Sequence, residues 1–437
     1  MSTTPARPRA SLLLLAYLAF VSLGLPDGLL GVGWPSIRTD FGVPTEAVGL
    51  LLTAGTVGYL TSSVLAGFTL ARVGVGALLA GSTLLAGLAL TGHALSPGLA
   101  VLVGCALLLG LGSGAIDSGL NAYAAGAFGP RHMNWMHAFF GLGVAIGPLI
   151  MTGALSAGLS WRWGYGIMAA AQFAVATAFA LTVRAWQRGV PASSDPGAVV
   201  GASASPAVRV PIRATLRLPA VWSGALAFAL YVAIEVSAGL WAFLLLTEGR
   251  GLSAAVAGGC VSAYWGSLFV GRVVQGVVAE RLGGALVLRV SLAGMAVGAA
   301  LIAVPGPAVL AVLGLLVVGF AAAPVFPLLT LTTVDRVGAA HADRAIGLQI
   351  GAAGVGAALV PAGLGILIGN TTVQVLGSAL VVLALALIGL YELGSRRPGP
   401  ERAGPGGSEP ARPDQAAQVG GEGHMVSGPV RPVVDGR

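Results

Sequence analysis

Stretches of about twenty mostly apolar residues recur along the whole chain, each long enough to cross a hydrocarbon core about 30 Å thick as a helix. Twelve such spans are expected, at 11–34, 45–70, 75–95, 99–124, 135–158, 162–183, 219–246, 254–279, 285–305, 307–332, 344–368 and 371–393. Composition agrees. Of 437 residues, 56% are hydrophobic and only 9% charged, too few charges to coat a water-facing surface. The net charge of +7 rests on 23 basic residues, all arginine. They form no basic patch with interleaved aromatics, so nucleic acid is not an expected partner. Cys105 and Cys260 both lie inside apolar runs and suggest neither a disulfide framework nor a metal pair. The first run follows Arg7 and Arg9 but lacks an A-x-A cleavage site, so it is expected to stay in the mature protein.

Loop charge sets the expected orientation. With the amino terminus taken as cytoplasmic, 19 of the 23 arginines fall on the cytoplasmic side, Arg38, Arg162 and Arg250 fall on the other, and Arg272 lies inside a span. Both termini are therefore expected in the cytoplasm, in a multi-pass protein of the inner (plasma) membrane. The domain plan is an amino-terminal segment 1–10, a six-helix bundle 11–183, a cytoplasmic linker 184–218, a second six-helix bundle 219–394 and a disordered tail 395–437. The linker carries Pro191-Ala-Ser-Ser-Asp-Pro-Gly and five arginines. The tail is rich in Gly, Pro and charge and has too little apolar surface to offset its ordering entropy.

The two bundles repeat each other. Gly67-Phe-Thr-Leu-Ala-Arg72-Val-Gly74, after span two, matches Gly276-Val-Val-Ala-Glu-Arg281-Leu-Gly283, after span eight, 209 positions later. The same displacement carries Asp27 of span one to within one residue of Glu235 in span seven, and Asp117 of span four to the Pro324-Val-Phe-Pro327 break in span ten. Two six-helix repeats facing the same way are the pattern of a secondary transporter whose halves rock about a site at mid-membrane. Glycine, 68 residues in all, recurs at small-x-x-x-small spacing, as at Gly110 and Gly114 or at Gly351, Gly354 and Gly356. Such spacing lets helices approach closely in lipid. Gly24 and Gly28 stand apart because they flank Pro26-Asp27, where span one is expected to break.

Four ionisable residues fall inside spans: Asp27, Asp117, Glu235 and Arg272. Insertion scales put an Asp or Arg at a span centre at about 2.5–3.5 kcal/mol, so charges kept there point to function. Each has a structural alternative: Asp27 capping a half-helix after Pro26, Asp117 and Arg272 bonding to neighbouring helices, Glu235 lying nearer the surface. Asp117 and Asn121 are one turn apart and share a helix face beside Gly110, Ser113 and Gly114, polar and roomy enough for a cavity wall. Burial disfavours the charged form of a carboxyl, so an acid there can bind and release a proton as its exposure alternates. Asn134 and His137 at the head of span five, and Tyr231 one turn before Glu235, are further candidates to bind a solute. Trp34, Tyr231, Trp241 and Trp265 offer a stacking surface or else belong to the interfacial aromatic belt. The sequence contains no H-E-x-x-H, P-loop, G-x-S-x-G or clustered metal-ligand set, so neither an enzyme nor a cofactor is expected.

Taken together, the twelve spans, the central linker and the repeated Gly-x-x-x-x-Arg-x-Gly loop resemble the major facilitator superfamily over 11–394. Within it the chain is most similar to the fucose–proton symporter branch. The similarity lies in Asp27 ahead of Trp34-Pro35 and Phe41, Asp117 with Asn121, Tyr231 with Glu235, Gly271-Arg272, and Pro324-x-Phe-Pro327. The resemblance implies substrate binding and coupling for Asp27 and proton carriage for Asp117. The chain departs from the branch at span four, where Asp117 and Leu120-Asn121-Ala122-Tyr123 stand in place of a Glu and an Ala-Asn-Pro segment. It departs from the superfamily at Ala71, where an Asp usually precedes the arginine; Glu280 keeps its place before Arg281. Arg72, Arg272, Glu280 and Arg281 are the expected gating or structural charges, with any charge-based cytoplasmic gate resting on the second copy.

The expected fold is thus all-α, with twelve transmembrane helices as two pseudo-symmetric six-helix bundles. The expected function is proton-coupled, alternating-access transport of a small polar, sugar-like solute. Asp117 and Asp27 would couple the proton; Asp27, Asn121, Tyr231, Glu235, Asn134 and His137 would bind the solute. The alternative is a proton-driven efflux antiporter for an amphipathic compound. The expected partners are the solute, protons and the lipid bilayer, and the chain is expected to work as a monomer.

Overall fold

The computed structural model describes residues 10–128, 130–186 and 211–395; the side chains of Asn134 and Glu280 also lie outside the description. The expected segment 1–9, most of the linker and the tail from 396 onward fall outside it. Among the described residues, eleven helices are long and apolar enough to cross a membrane. One of them, Thr45–Leu95, has 51 residues, about twice what a bilayer needs. It breaks at Gly74, whose φ of 78° and ψ of 165° lie outside any helix and favour a residue without a Cβ. Its arms, 45–73 and 75–95, bring the spans to twelve. The others are Ala10–Phe41, Leu99–Ala127, Pro130–Ser156, Arg162–Trp186, Pro219–Gly249, Ala254–Leu282, Gly284–Ala303, Ala308–Leu331, Ala339–Asn370 and Val375–Ser395. Span ten is interrupted at Pro324, between Ala308–Ala322 and Val325–Leu331, where the proline pair lies.

The repeat is visible in the backbone. Gly74 and Gly283, 209 positions apart, both take positive φ where spans two and eight turn into spans three and nine, and Gly42 and Gly251 do the same at the opposite membrane face. Helix contacts follow the same displacement. Gly110 of span four sits against the backbone of Gly55 and Tyr59 in span two, and Gly319 of span ten, 209 residues on, sits against Tyr264 in span eight. Gly114 meets Ser62, and the displaced pair Ala323 and Gly271 meets likewise. Within the first half, span one packs on five, two on four, and three on six; within the second, seven packs on eleven, eight on ten, and nine on ten and twelve. Lipid supplies no hydrophobic drive for association, so these small residues bring backbones close enough for dispersion to act.

Two expectations need correction. Span one does not break at Pro26: the helix runs unbroken from Ala10 through Pro26 and Pro35 to Phe41. Gly24 and Gly28 are where span five lies against it, since a Cβ on Gly24 would run into Phe140 O and Val144 N, and one on Gly28 into Val144 O and the Pro148 ring. A proline is tolerated inside a membrane helix when a neighbouring helix packs closely against the weakened turn. The linker is also shorter than 184–218. Span six continues to Trp186, and Ile212–Leu216 forms a short helix whose buried Thr215 hydroxyl lies 2.8 Å from His341 Nδ1.

The close approach of spans two and four gives a test. Gly110→Ala places a methyl group against the Gly55 carbonyl and 2.9 Å from Tyr59 N, and is expected to destabilise by about 1–3 kcal/mol, the usual range for overpacking. Gly104→Ala, which meets no atom within 4 Å, serves as the control. Thermal melts in detergent should separate the two; equal melting temperatures would mean that the contact does not hold the bundle.

Candidate functional site: a central cleft between the halves

The two halves touch at the membrane face away from Ala10 and Ser395. A Cβ on Gly31 of span one would stand 3.1 and 2.9 Å from the carbonyl oxygens of Gly239 and Leu240 in span seven, and Gly49 of span two meets Ala362 of span eleven. Gly258 of span eight lies on Thr152 of span five, and Ser262 Oγ donates to Ala145 O at 2.6 Å. Trp34 and Trp241 are 2% and 1% exposed and donate to Thr45 O and Pro361 O, so they anchor this closed end and are not part of an open stacking surface. Trp265 packs on Gly239.

Arginines also brace this end, Arg38 between the halves and Arg162 and Arg250 each within one. Arg38 Nη2 pairs with Glu248 Oε1 at 3.1 Å, tying span one to span seven, and Arg38 Nη1 donates to Thr45 Oγ1. Arg162 pairs with Asp40, donates to Ser96 O at 2.9 Å and lies 4.4 Å from the Trp161 ring centroid. Arg250 donates to the carbonyls of Ile302, Val304 and Gly306 at 2.8–3.2 Å, a guanidinium set at the negative end of span nine's helix dipole.

Toward the other end the halves part. A Cβ on Gly354 of span eleven would lie 3.2 Å from Thr56 in span two, whereas Gly347, on the same face two turns along, has nothing within 4 Å. The result is a cleft, closed at one end and open at the end bearing Ala10 and Ser395.

The four membrane charges line it. Asp27 lies four residues from Gly31, about 40° around the helix, on the face turned to span seven and about 180° from the exposed Leu18. Its carboxyl is exposed within the cleft, and its field reaches Tyr59. Glu235 is four residues before Gly239 and so shares the face that meets span one. Arg272 reaches from span eight toward span five, with Nη1 3.7 Å from where a Gly141 Cβ would stand. Asp117 and Arg272 each lie ten residues from Ala127 and Leu282, the open ends of their helices, about 15 Å in at 1.5 Å per residue. Asp27 and Glu235 lie deeper, 17 and 16 residues from Ala10 and Pro219.

Each acid but one is held. Asp117 accepts from Tyr59 OH at 2.7 Å and from Asn121 Nδ2 at 3.0 Å, leaving Asn121 Oδ1 buried with no partner. Glu235 Oε2 accepts a hydrogen bond from Tyr231, whose ring is fully buried, and Tyr264 OH donates to the Glu235 carbonyl at 2.7 Å. In this conformation Tyr231 supports Glu235 and does not itself face the cleft. Asp27 has no hydrogen-bond partner among the described residues. His137 is exposed, packs edge-on against Phe20 and lies within the fields of both Asp117 and Arg272. Asp27, Asp117, Asn121, His137, Glu235 and Arg272 therefore belong to one cleft.

Tyr59 and Tyr264 were missed in the sequence, although a lone phenol at mid-span needs a hydrogen-bond partner in hydrocarbon and is itself a signal. Arg72 and Arg281 are exposed and pair with no other described residue, so no contact of a charge-based gate is found at these positions.

Residues 16–361 match the sequence profile of the Major Facilitator Superfamily, and the chain belongs to that family. Among curated proteins none matches the sequence significantly. Solved structures share the fold. The nucleoside transporter NupG superposes with a TM-score of 0.71 at 16% identity, covering 88% of this chain and 100% of that one. A peptide transporter, POT, crystallised with sulfate gives 0.68 at 16% identity over 90% and 97%. A bacterial homologue of the human lysosomal transporter Spinster, inward-facing and occupied, gives 0.65 at 14% identity over 90% and 98%. The protein is a multi-pass membrane transporter and not an enzyme.

The cleft's shape predicts a labelling pattern. In a background without Cys105 and Cys260, Gly347→Cys is expected to react with a membrane-impermeant maleimide added from the side of the termini, at least about tenfold faster than Ala362→Cys from either side. Equal rates at the two positions would contradict a cleft closed at one end.

Proposed function

We propose that the protein carries a small polar, sugar-like solute across the inner membrane by alternating access, coupled to a proton bound at Asp117. The observation that carries this reading is Asp117 itself: a carboxyl about 15 Å from the open end of its helix, gripped by Tyr59 and Asn121 and within the field of His137. A change in the grip of those donors, or in water access, changes the proton affinity of such a group. Asp27, which faces the cleft without a protein partner, binds the solute together with Asn121, Glu235 and His137, and the resemblance to fucose–proton symporters supports these roles. The uneven division of arginine favours both termini in the cytoplasm, and the conformation is then inward-facing.

Asp117→Asn is expected to abolish uptake driven by an inward proton gradient in right-side-out vesicles while sparing solute exchange between preloaded vesicles and medium, because exchange does not require proton release. Gradient-driven uptake at the parent rate would refute the assignment. Gradient-driven export by the parent protein would replace import with efflux.

A further inference from the structure

Arg272 is the one cation among the four membrane charges, and no described residue pairs with it. It lies about 15 Å inside span eight, yet it makes no hydrogen bond or ion pair with any other described residue. Its five N–H donors are not sealed in the core either; none is a buried donor without a partner, so they face the water of the cleft. Span five lies alongside it: Arg272 Nη1 and the Phe269 side chain are the nearest atoms to where a Gly141 Cβ would stand, at 3.7–3.9 Å. The guanidinium thus reaches from the second half to the surface of the first.

Glu235 and Asp117 are occupied elsewhere. Glu235 lies within the field of Arg272 but accepts from Tyr231, and neither Glu235 nor Asp117 comes within the 4 Å of an ion pair. Asp117 already takes two hydrogen bonds, from Tyr59 and Asn121. A guanidinium presents a planar fork that matches an oxyanion bidentately. A charge kept at this depth marks a solute path, and a fork left open on the path between the halves is a site that a ligand can close.

We propose that Arg272 binds an oxyanion group of the transported solute, a carboxylate or a phosphate, while the unpartnered Asp27 accepts hydrogen bonds from hydroxyl or amine groups on the same molecule. The proposal rests on the transporter reading and narrows its solute from a neutral sugar to an acidic one, such as a sugar acid or a sugar phosphate. The solute then neutralises Arg272 from within the cleft, and the empty carrier keeps a cation with which no described acid forms an ion pair. Contacts to both halves also give the solute a means of drawing them together, since Arg272 belongs to the second half and Asp27 to the first.

The test uses full-length protein in detergent and matched pairs of probes: gluconate against glucitol, glucuronate against glucose, and glucose 6-phosphate against glucose. At least one acid is expected to raise the melting temperature by several degrees while its neutral twin does not, and whether the carboxylates or the phosphate do so identifies the source of the oxyanion. Arg272→Gln should weaken that binding by at least about tenfold, as expected for loss of a charge-assisted bidentate contact, and Arg272→Lys should keep a part of it. Without ligand, Arg272→Gln should melt close to the parent temperature, because no hydrogen bond or ion pair to a described residue is lost. A neutral twin that stabilises as well as its acid, an unchanged response in Arg272→Gln, no response to any acid, or a ligand-free Arg272→Gln that melts well below the parent would each overturn the proposal. No proton gradient enters this measurement. An acid bound through Arg272 but taken up regardless of pH would leave the proposal standing and remove proton coupling; a neutral sugar carried with protons would do the reverse.

Discussion

Hydrocarbon offers no hydrogen bonds, and this one property of the solvent orders the rest of the molecule. Every backbone group must be met within its own helix, so the chain becomes a set of long helices. Every side-chain charge must be met by protein or by water brought in from outside, so the few charges inside spans turn away from lipid. Asp27 faces away from Leu18, Glu235 shares the face of Gly239, and Arg272 reaches over Gly141. These groups turn instead to the cleft between the halves, where water can reach them.

Glycine makes the cleft movable. Close contacts within each half, such as Gly110 on Gly55 and Gly28 on Val144, hold a half together as a unit. The tightest contacts between halves lie toward the closed end, at glycines 31, 49 and 258, the Ser262 hydroxyl and the Arg38–Glu248 pair, with looser ones farther in at Gly354 and Gly141. Glu248 is 52% exposed, and ion pairs of that sort contribute only about 0–1 kcal/mol. The ion pair therefore adds little to the closed end, which close glycine packing and the Ser262 bond hold, and under the proposed alternating access it is this packing that would have to part.

Much of this was legible in the chain. The apolar runs gave twelve spans, and the 209-residue displacement found from the Gly67 and Gly276 loops is the same one that relates Gly74 to Gly283 in φ. The intramembrane charges were found for a good reason, their cost in lipid. What sequence could not supply were pairings across helices. Pro26 reads as a break because local rules place it so, yet packing against span five keeps span one continuous. Trp34 and Trp241 read as stacking surface or interfacial belt, and only the fold shows their indole N–H groups turned to Thr45 and Pro361. Tyr59 belongs with Asp117 across 58 positions of chain, a link that no spacing rule encodes.

The most direct test of two rocking halves is a pair of distances measured by pulsed electron resonance in lipid nanodiscs, one across each end of the bundle. Spin labels at Gly67 and Gly347 report the open end, and labels at Gly98 and Ser253 report the closed end. Two populations are expected at each end, coupled in opposite senses, so that acidification or an added solute that shortens one distance lengthens the other. A single unchanging distance at both ends, or two ends that lengthen together, would contradict a carrier built in this way.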